Sequence, residues 1–206
     1  MKTIEKSILL GFILTILLAF LGFNSQCESI SKKVFRLHVL ANSDSYEDQQ
    51  LKLCVRDKVL LYSKYIFNNV KDKASAEKVI GEHLEEIQKV AQKEVYDRGY
   101  DYNVSVKIDN MYFDTRHYGD ITMPAGNYDA LKIFIGKSKG HNWWCVMFPP
   151  ICLPAAEKSY ELDDVLNPSQ VNIVKNGPKY EIKFKIVELI SGLINYIRNF
   201  GGADIA

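Results

Sequence analysis

The sequence has almost no surplus of charge of either sign. Lys and Arg together number 26 and Asp and Glu number 25, so the formal net charge is +1. Without Met1 to Gln26, which contribute two Lys and one Glu, the net charge falls to 0. A protein that binds nucleic acid needs a basic face. We therefore expect no nucleic-acid partner, and the composition favours a protein or a small molecule instead.

Repeats and metal motifs are also missing. There is no internal repeat and no low-complexity tract. His83 has no second His at the H-E-x-x-H spacing of a zinc site. The acids between Asp44 and Asp48 lack the central Gly and the distal Glu of a calcium loop. We predict neither a metal nor a cofactor.

The first residues of the chain differ from the rest. Lys2 and Lys6 precede an uncharged, almost wholly apolar run from Ser7 to Phe23, which is typical of an export segment. The run is also close to the lower length limit for crossing a bilayer. A cleaved signal peptide and a retained anchor both stay open, and the chain from Cys27 onward is expected outside the cytoplasm. The predicted organisation is an export or anchor segment at 1–26, an exported domain at 27–156, and a linker with a C-terminal helix at 157–206.

Cysteine is scarce, with four residues in the chain. An exported protein is allowed a disulfide but does not require one. Cys145 and Cys152 flank a stretch in which Pro149 and Pro150 could turn the chain back, which favours a bond between them. Two buried thiols are the alternative.

Hydrophobic periodicity predicts an α+β fold with an antiparallel-rich sheet covered by two long helices, plus a C-terminal amphipathic helix. Phe35, Leu37 and Val39 indicate a strand with one buried face. The other expected elements, in chain order, are helices at 47–70 and 75–98, strands at 102–108, 131–135 and 143–148, a loop at 111–127, a linker at 157–178 and a helix at 180–200.

A polar cluster, HVLANSDSYEDQ, follows the first strand at residues 38–49. Ser45 and Asp48 have the spacing of a helix capping box, and Asp44 adds negative charge at the positive end of the helix dipole. Asn42 suits a tight and left-handed turn. The cluster is therefore interpreted as a structural corner, with a His38–Asp44 acid–base pair as the less favoured reading.

Two motifs resemble catalytic ones. Residues 136–140, GKSKG, match the nucleophile elbow G-x-S-x-G, but an elbow leads into a helix and an apolar strand pattern follows here. A polar hairpin turn is favoured. His141 and Cys145 resemble a Cys–His couple, yet a nucleophilic thiolate has to be partly exposed beside its base, and Cys145 lies in an apolar run.

Two longer blocks resemble the stage II sporulation protein R family. They are FRLHVLANSDSYEDQQLKLCVRDKVL at residues 35–60 and GHNWWCVMFPPIC at residues 140–152. Cys54 and His141 depart from the residue types common in that family. The resemblance implies an exported signalling protein of endospore formation, active in the space between forespore and mother cell. There it would trigger a membrane-embedded aspartic protease that processes a precursor sigma factor.

Other classes of function stay open beside this one. An exported hydrolase would use the His38/Asp44 or the His141/Cys145 region, and an anchored envelope protein would need only the N-terminal span. For a signalling protein, the predicted partner-binding residues are Gln49, Lys52, Arg56, Asn142, Trp143 and Trp144. Arg56 with Asp57 could instead buttress the corner. Because adjacent residues of a strand face opposite sides, one Trp is expected in the core and the other at an interface. The predicted structural residues are His38, Asn42, Asp44, Ser45, Asp48, Asp57, Pro149 and Pro150.

Overall fold

The computed structural model describes residues 2–67, 70–152 and 162–201; the side chains of Lys2, Leu17 and residues 194–201 are not described. Its helices are α1 Lys2–Ser31, α2 Tyr46–Ile66, α3 Lys73–Glu82, α4 Leu84–Asp97, α5 Leu162–Val165, α6 Pro168–Lys175 and α7 Glu181–Gly201. Its strands are β1 Phe35–Leu40, β2 Val104–Phe113, β3 Arg116–Tyr118, β4 Ile121–Met123, β5 Gly126–Ile135 and β6 Asn142–Phe148. The predicted α+β class is confirmed.

These elements divide into two compact units. The sheet unit contains residues 32–111 and 127–167, and the α1 unit contains residues 1–31, 112–126 and 168–206. The predicted boundary after residue 26 stays a prediction, and the one after residue 156 lies outside the described residues.

The sheet unit is built on a four-stranded sheet in the order β2-β5-β1-β6. Strand β1 pairs with β5 in parallel and with β6 antiparallel, so the sheet is mixed. One face carries Leu37, Val39, Leu131 and Ile133, which form a single core with α2, α3 and α4. The parallel pair was not foreseen from the sequence.

Strand β1 is buried on both faces, so the expectation of one buried face is wrong. Every residue from Phe35 to Val39 is buried, including Arg36 and His38. Arg36 places its guanidinium 4.8 Å from the ring centre of Tyr128 and donates to the carbonyl of Cys145 at 2.9 Å. A cation that bonds to backbone and lies over a ring can be buried where a bare one cannot.

The single helix expected from Ser75 to Arg98 is in fact two helices that meet at His83. Gly81 weakens the end of α3, and Glu85 and Glu86 favour a new helix start. Ile80 and Ile87 are seven residues apart and both buried. The break therefore leaves the apolar spacing unchanged, and the spacing could not reveal it.

Two stretches expected to lack regular structure contain short elements. Within 111–127, β3 and β4 form an antiparallel hairpin, with Gly119 left-handed at the turn (φ +58°). Within 157–178, the described part carries α5, α6 and the start of a 3₁₀ helix, Gly177–Tyr180. Pro168 is the first residue of α6, a position where proline begins a helix and does not break one. The predicted C-terminal helix is confirmed as α7.

Candidate partner-binding site

The polar cluster after β1 is a cross-braced corner. Ser45 caps α2 by accepting a hydrogen bond from the Asp48 amide at 3.2 Å. The Asp48 carboxylate does not complete the capping box; it accepts from the Asn42 amide at 2.8 Å and the Ser43 hydroxyl at 2.5 Å. The predicted helix start is confirmed, and Asp48 ties it to the end of β1.

Asp48 is buried and charged. Burial by itself would raise the pKa of its carboxyl, but hydrogen bonds from Ser43, Asn42 and Tyr102 outweigh that effect and hold the pKa below the usual value. The charge is therefore stabilised locally, as structural acids usually are.

Asn42 links the corner to the turn at residues 136–140. Its side-chain oxygen accepts from the Lys137 amide at 2.9 Å, and its carbonyl accepts from the Lys139 amide at 3.2 Å. The backbone of Asn42 is not left-handed, contrary to expectation; Gly136 and Ser138 are (φ +55° and +54°). The predicted polar turn is present, and β6 follows it, so no nucleophile elbow forms here.

Both glycines of this turn are pressed against the corner. A Cβ at Gly136 would overlap the Asn42 side chain, and a Cβ at Gly140 would overlap the Ser43 carbonyl. The sequence offered GKSKG only as a motif to be rejected. Its glycines are needed because two loops separated by about a hundred residues of chain touch at these points.

Neither predicted acid–base arrangement forms a catalytic pair. Asp44 contacts His141, with the Nδ1–Oδ1 distance at 2.5 Å, and not His38. The hydrogen bond from the His141 backbone amide is the main cause that lowers the pKa of Asp44, and both side chains are exposed. The Sγ of Cys145 is bonded to Cys152, so it is not a thiolate that His141 could activate.

The predicted residues of α2 lie against the start of β6. Lys52 donates to the carbonyl of His141 at 2.8 Å and to Gln49 at 2.5 Å, and Gln49 donates to the Ser43 carbonyl at 2.9 Å. Lys52 is buried, and burial lowers the pKa of its amine. One further turn along, the guanidinium of Arg56 lies 4.2 Å from the ring centre of Trp143. Arg56 also pairs with Asp57 at 2.6 Å.

The two tryptophans face opposite sides of the sheet. Trp143 is opposite Val39 in the register and packs against the helix-covered core. Trp144 is opposite His38, and their rings stack at 3.8 Å on the other face. Burial is the main cause that lowers the pKa of His38 to about 4; the charge of Lys132 lowers it further and the Asn142 side chain offsets a part.

Around this stack lies a surface that we name the aromatic face. In the register, Lys132, His38 and Trp144 form one row across three strands. The row behind it is fully buried, whereas Phe134 in the row ahead is partly exposed. The Lys132 amine lies 5.3 Å from the ring centre of Phe134 and 3.5 Å from the Asp109 carboxylate oxygen Oδ2. The aromatic face comprises Lys107, Asp109, Lys132, Phe134, His38, Asn142 and Trp144.

A disulfide closes a loop at the end of β6. Cys145 and Cys152 are joined with Cα atoms 6.4 Å apart, and Pro149 and Pro150 lie between them. The amide of Val146 donates to the sulfur of Cys152 at 3.4 Å, so the loop returns to β6. Among the described residues, no group of three or more His, Cys, Asp or Glu side chains could hold a metal ion.

Some residues of this unit were missed by sequence reasoning. Arg36 was assigned no role, although its side chain is fully buried in the row next to that of His38, on the same face of the sheet. Lys73 and Asp129 form an ion pair that joins α3 to β5. An alternating strand pattern places Arg36 on the polar side, and no local signal says that this side is covered.

Fold and site together define a small α+β protein. It begins with an apolar helix, and its mixed sheet carries an aromatic face. A sequence model of the family "Stage II sporulation protein R (spore_II_R)" matches residues 31–158. The chain is 37% identical over 190 residues to stage II sporulation protein R of Bacillus subtilis (strain 168), covering 81% of this chain and 84% of that protein. No solved structure matches. This chain therefore belongs to the stage II sporulation protein R family.

Proposed function

We propose that this protein is an exported signal of endospore formation that binds and activates a membrane-embedded aspartic protease, which then processes a precursor sigma factor. It is a sporulation protein by family. In this proposal it acts between the forespore and the mother cell and has no catalytic step of its own. The apolar helix α1 is compatible with a signal or anchor segment.

The observation that carries the proposal is the aromatic face. A stacked His–Trp pair with a neighbouring Phe resembles the aromatic-rich centre of a protein interface more than a solvated sheet surface. Trp is also strongly enriched among the residues that dominate binding energy. We assign Trp144 and Asn142 to contact with the protease.

The α2 residues have a different part in this proposal. Gln49, Lys52 and Arg56 contact the chain around the start of β6, at His141 and Trp143. They set the position of β6 in the sheet and so act as positioning residues for Trp144. Arg56 also pairs with the neighbouring Asp57, and the part of this pair as a buttress of the corner stays a prediction.

The test is reconstitution with matched tryptophan variants. The chain is expressed with the protease and the precursor sigma factor, and cleavage of the precursor is measured. Trp144→Ala should fold near-normally and lose most of the cleavage. Trp143→Ala should lower the free energy of unfolding by about 3 kcal/mol, because it removes a large side chain that packs against the core.

Three outcomes would contradict the proposal. Precursor cleavage that is equally fast without this protein would mean that the protein does not activate the protease. Full activity of Trp144→Ala would mean that the aromatic face is not the surface that contacts the protease. Turnover of ester or peptide substrates by the purified protein alone would favour the hydrolase, whose remaining geometric support is the Asp44–His141 contact.

A further inference from the structure

Helix α7 has two apolar sides, and only one of them is packed. Phe184 and Val187 are buried at 2% and 1% exposure. On the other side, Ile182, Leu189 and Leu193 are 78%, 73% and 59% exposed. An apolar row of this kind on a helix is unusual for a surface that meets only water.

The exposed residues form one stripe. At 100° per residue, Ile182, Ile186, Leu189 and Leu193 fall within an arc of about 60°. Lys183 and Lys185 lie on the two flanks of this arc, and the buried Phe184 and Val187 lie opposite it. An apolar stripe flanked by lysines is the pattern of a helix that lies in a membrane interface. The lysines reach anionic headgroups while their stems cover apolar surface.

The place where α7 begins gives the second argument. Helix α1 is a candidate membrane span, and its uncharged run from Ser7 to Phe23 is roughly 26 Å long at 1.5 Å per residue. The hydrocarbon core of a bilayer is about 30 Å thick. Ten large apolar side chains of α1 between Ile4 and Leu21 are exposed, and Phe23 is the first buried one among the described side chains.

Phe23 is also the residue that meets the start of α7. Its ring lies 5.5 Å from Tyr180 and 5.4 Å from Phe184, and the Lys183 amine lies 5.3 Å from the Phe23 ring centre. Within the α1 unit, α7 therefore starts where α1 ceases to be exposed. With Lys2 and Lys6 marking the cytoplasmic end of α1, this point lies at the outer surface of the bilayer.

We propose that α7 is an interfacial membrane helix, whose stripe of Ile182, Ile186, Leu189 and Leu193 lies among the lipid headgroups beside the outer end of α1. The protein then contacts the bilayer through two helices. This contact restricts how the α1 unit can rotate about α1. The proposal does not depend on the signalling role, because it concerns lipid and no protease.

The test uses the full chain in vesicles of phosphatidylethanolamine and phosphatidylglycerol. An environment-sensitive fluorophore is attached to Leu189→Cys, and to Glu181→Cys as the matched control on the polar side of α7. Both are made in a Cys54→Ala background, since Cys54 is a partly exposed free cysteine whereas Cys27 is buried. A lipid-borne nitroxide and aqueous iodide serve as quenchers.

The label at Leu189 should emit at shorter wavelength and be quenched by the nitroxide lipid, and the label at Glu181 should be quenched by iodide alone. If the Leu189 label is reached by iodide and not by the nitroxide lipid, α7 does not touch the bilayer. A blue shift without nitroxide quenching, lost as the lipid-to-protein ratio rises, would mean that a second copy of the chain covers the stripe. Nitroxide quenching at both positions would contradict the assigned face. Each of the last three results overturns the proposal.

Discussion

At the scale of single residues, neighbouring side chains and burial set the protonation states of the buried groups. Asp48 keeps a charge because three side chains donate to it. His38 stays neutral because the Trp144 ring and the sheet remove it from water and because Lys132 is near. Such groups make stability depend on pH, since their proton affinity differs between the folded and the unfolded chain.

His38 gives the clearest pH prediction. Its pKa is lowered from 6.5 to about 4 in the folded protein, so the unfolded chain binds the proton more tightly. The stabilisation is complete above pH 6.5 and is lost as the pH falls toward 4. Urea unfolding at several pH values in this interval should show that the free energy of unfolding decreases as the pH is lowered. His38→Gln should remove most of this dependence on pH.

The pH interval between 6.5 and about 4 distinguishes the contribution of His38 to stability from those of the carboxylates in the corner. Asp44 and Asp48 have pKa values below the ordinary 3.8, so their contributions are lost only at more acidic pH. A His38→Gln variant with the same slope as the parent would mean that His38 is not the titrating group.

At the scale of elements, the local signals were sufficient for some features and misleading for others. The helical spacing of apolar residues correctly predicted α2, whose Val55 and Val59 lie in the core. Ser45 was correctly placed as the cap because a cap is decided within four residues. The break at His83 was missed since the spacing continues across it, and the β3–β4 hairpin was missed since its strands are three residues long.

What could not be predicted depends on distant parts of the chain. That β1 lies between β5 and β6, and that Arg36 is buried under Tyr128, follow from pairings that local periodicity does not contain. For the candidate site, the sequence indicated that the two tryptophans differ in environment. It did not indicate which one faces the helices, because that depends on the register with β1.

The contact between the corner and the turn gives a prediction at this scale. Gly140→Ala would place a methyl group into the Ser43 carbonyl, and overpacking of this kind costs about 2–3 kcal/mol. Gly192→Ala in α7 is the control, because nothing lies within 4 Å of its added Cβ and alanine favours the helix by up to about 1 kcal/mol. Thermal unfolding of both variants distinguishes the two effects. Equal melting temperatures would mean that the two loops are not in contact.

At the scale of the whole molecule, the chain combines a compact sheet unit with an α1 unit whose helices expose apolar side chains. Exposed apolar helices are typical of proteins that work at a membrane. In the described residues, the polar clusters of the sheet unit are hydrogen-bonded into the fold. In the proposed function, the protein acts by contact with a protease and not by a reaction of its own.

A variant pair tests that reading at the level of activity. Ser138→Ala and His141→Ala should leave protease activation unchanged, since both side chains lie in the turn before β6 and the fold makes little use of them. Ser138→Gly serves as the control for backbone strain, because glycine adopts the left-handed conformation of Ser138 without cost. Loss of activation in a stably folded His141→Ala protein would reopen the hydrolase reading.

The central position of β1 has a consequence for the order in which this protein acquires its shape. Arg36 bonds to Cys145, which is 109 residues later in the chain, and both neighbours of β1 are made after α2, α3 and α4. Until the ribosome has delivered β5, strand β1 has no neighbouring strand to join, and its second neighbour, β6, comes later still. Closing so long a loop delays the final structure. In the proposed export from the N-terminus, β1 would therefore cross before both of its sheet neighbours, and the sheet could form only once β5 and β6 had crossed as well.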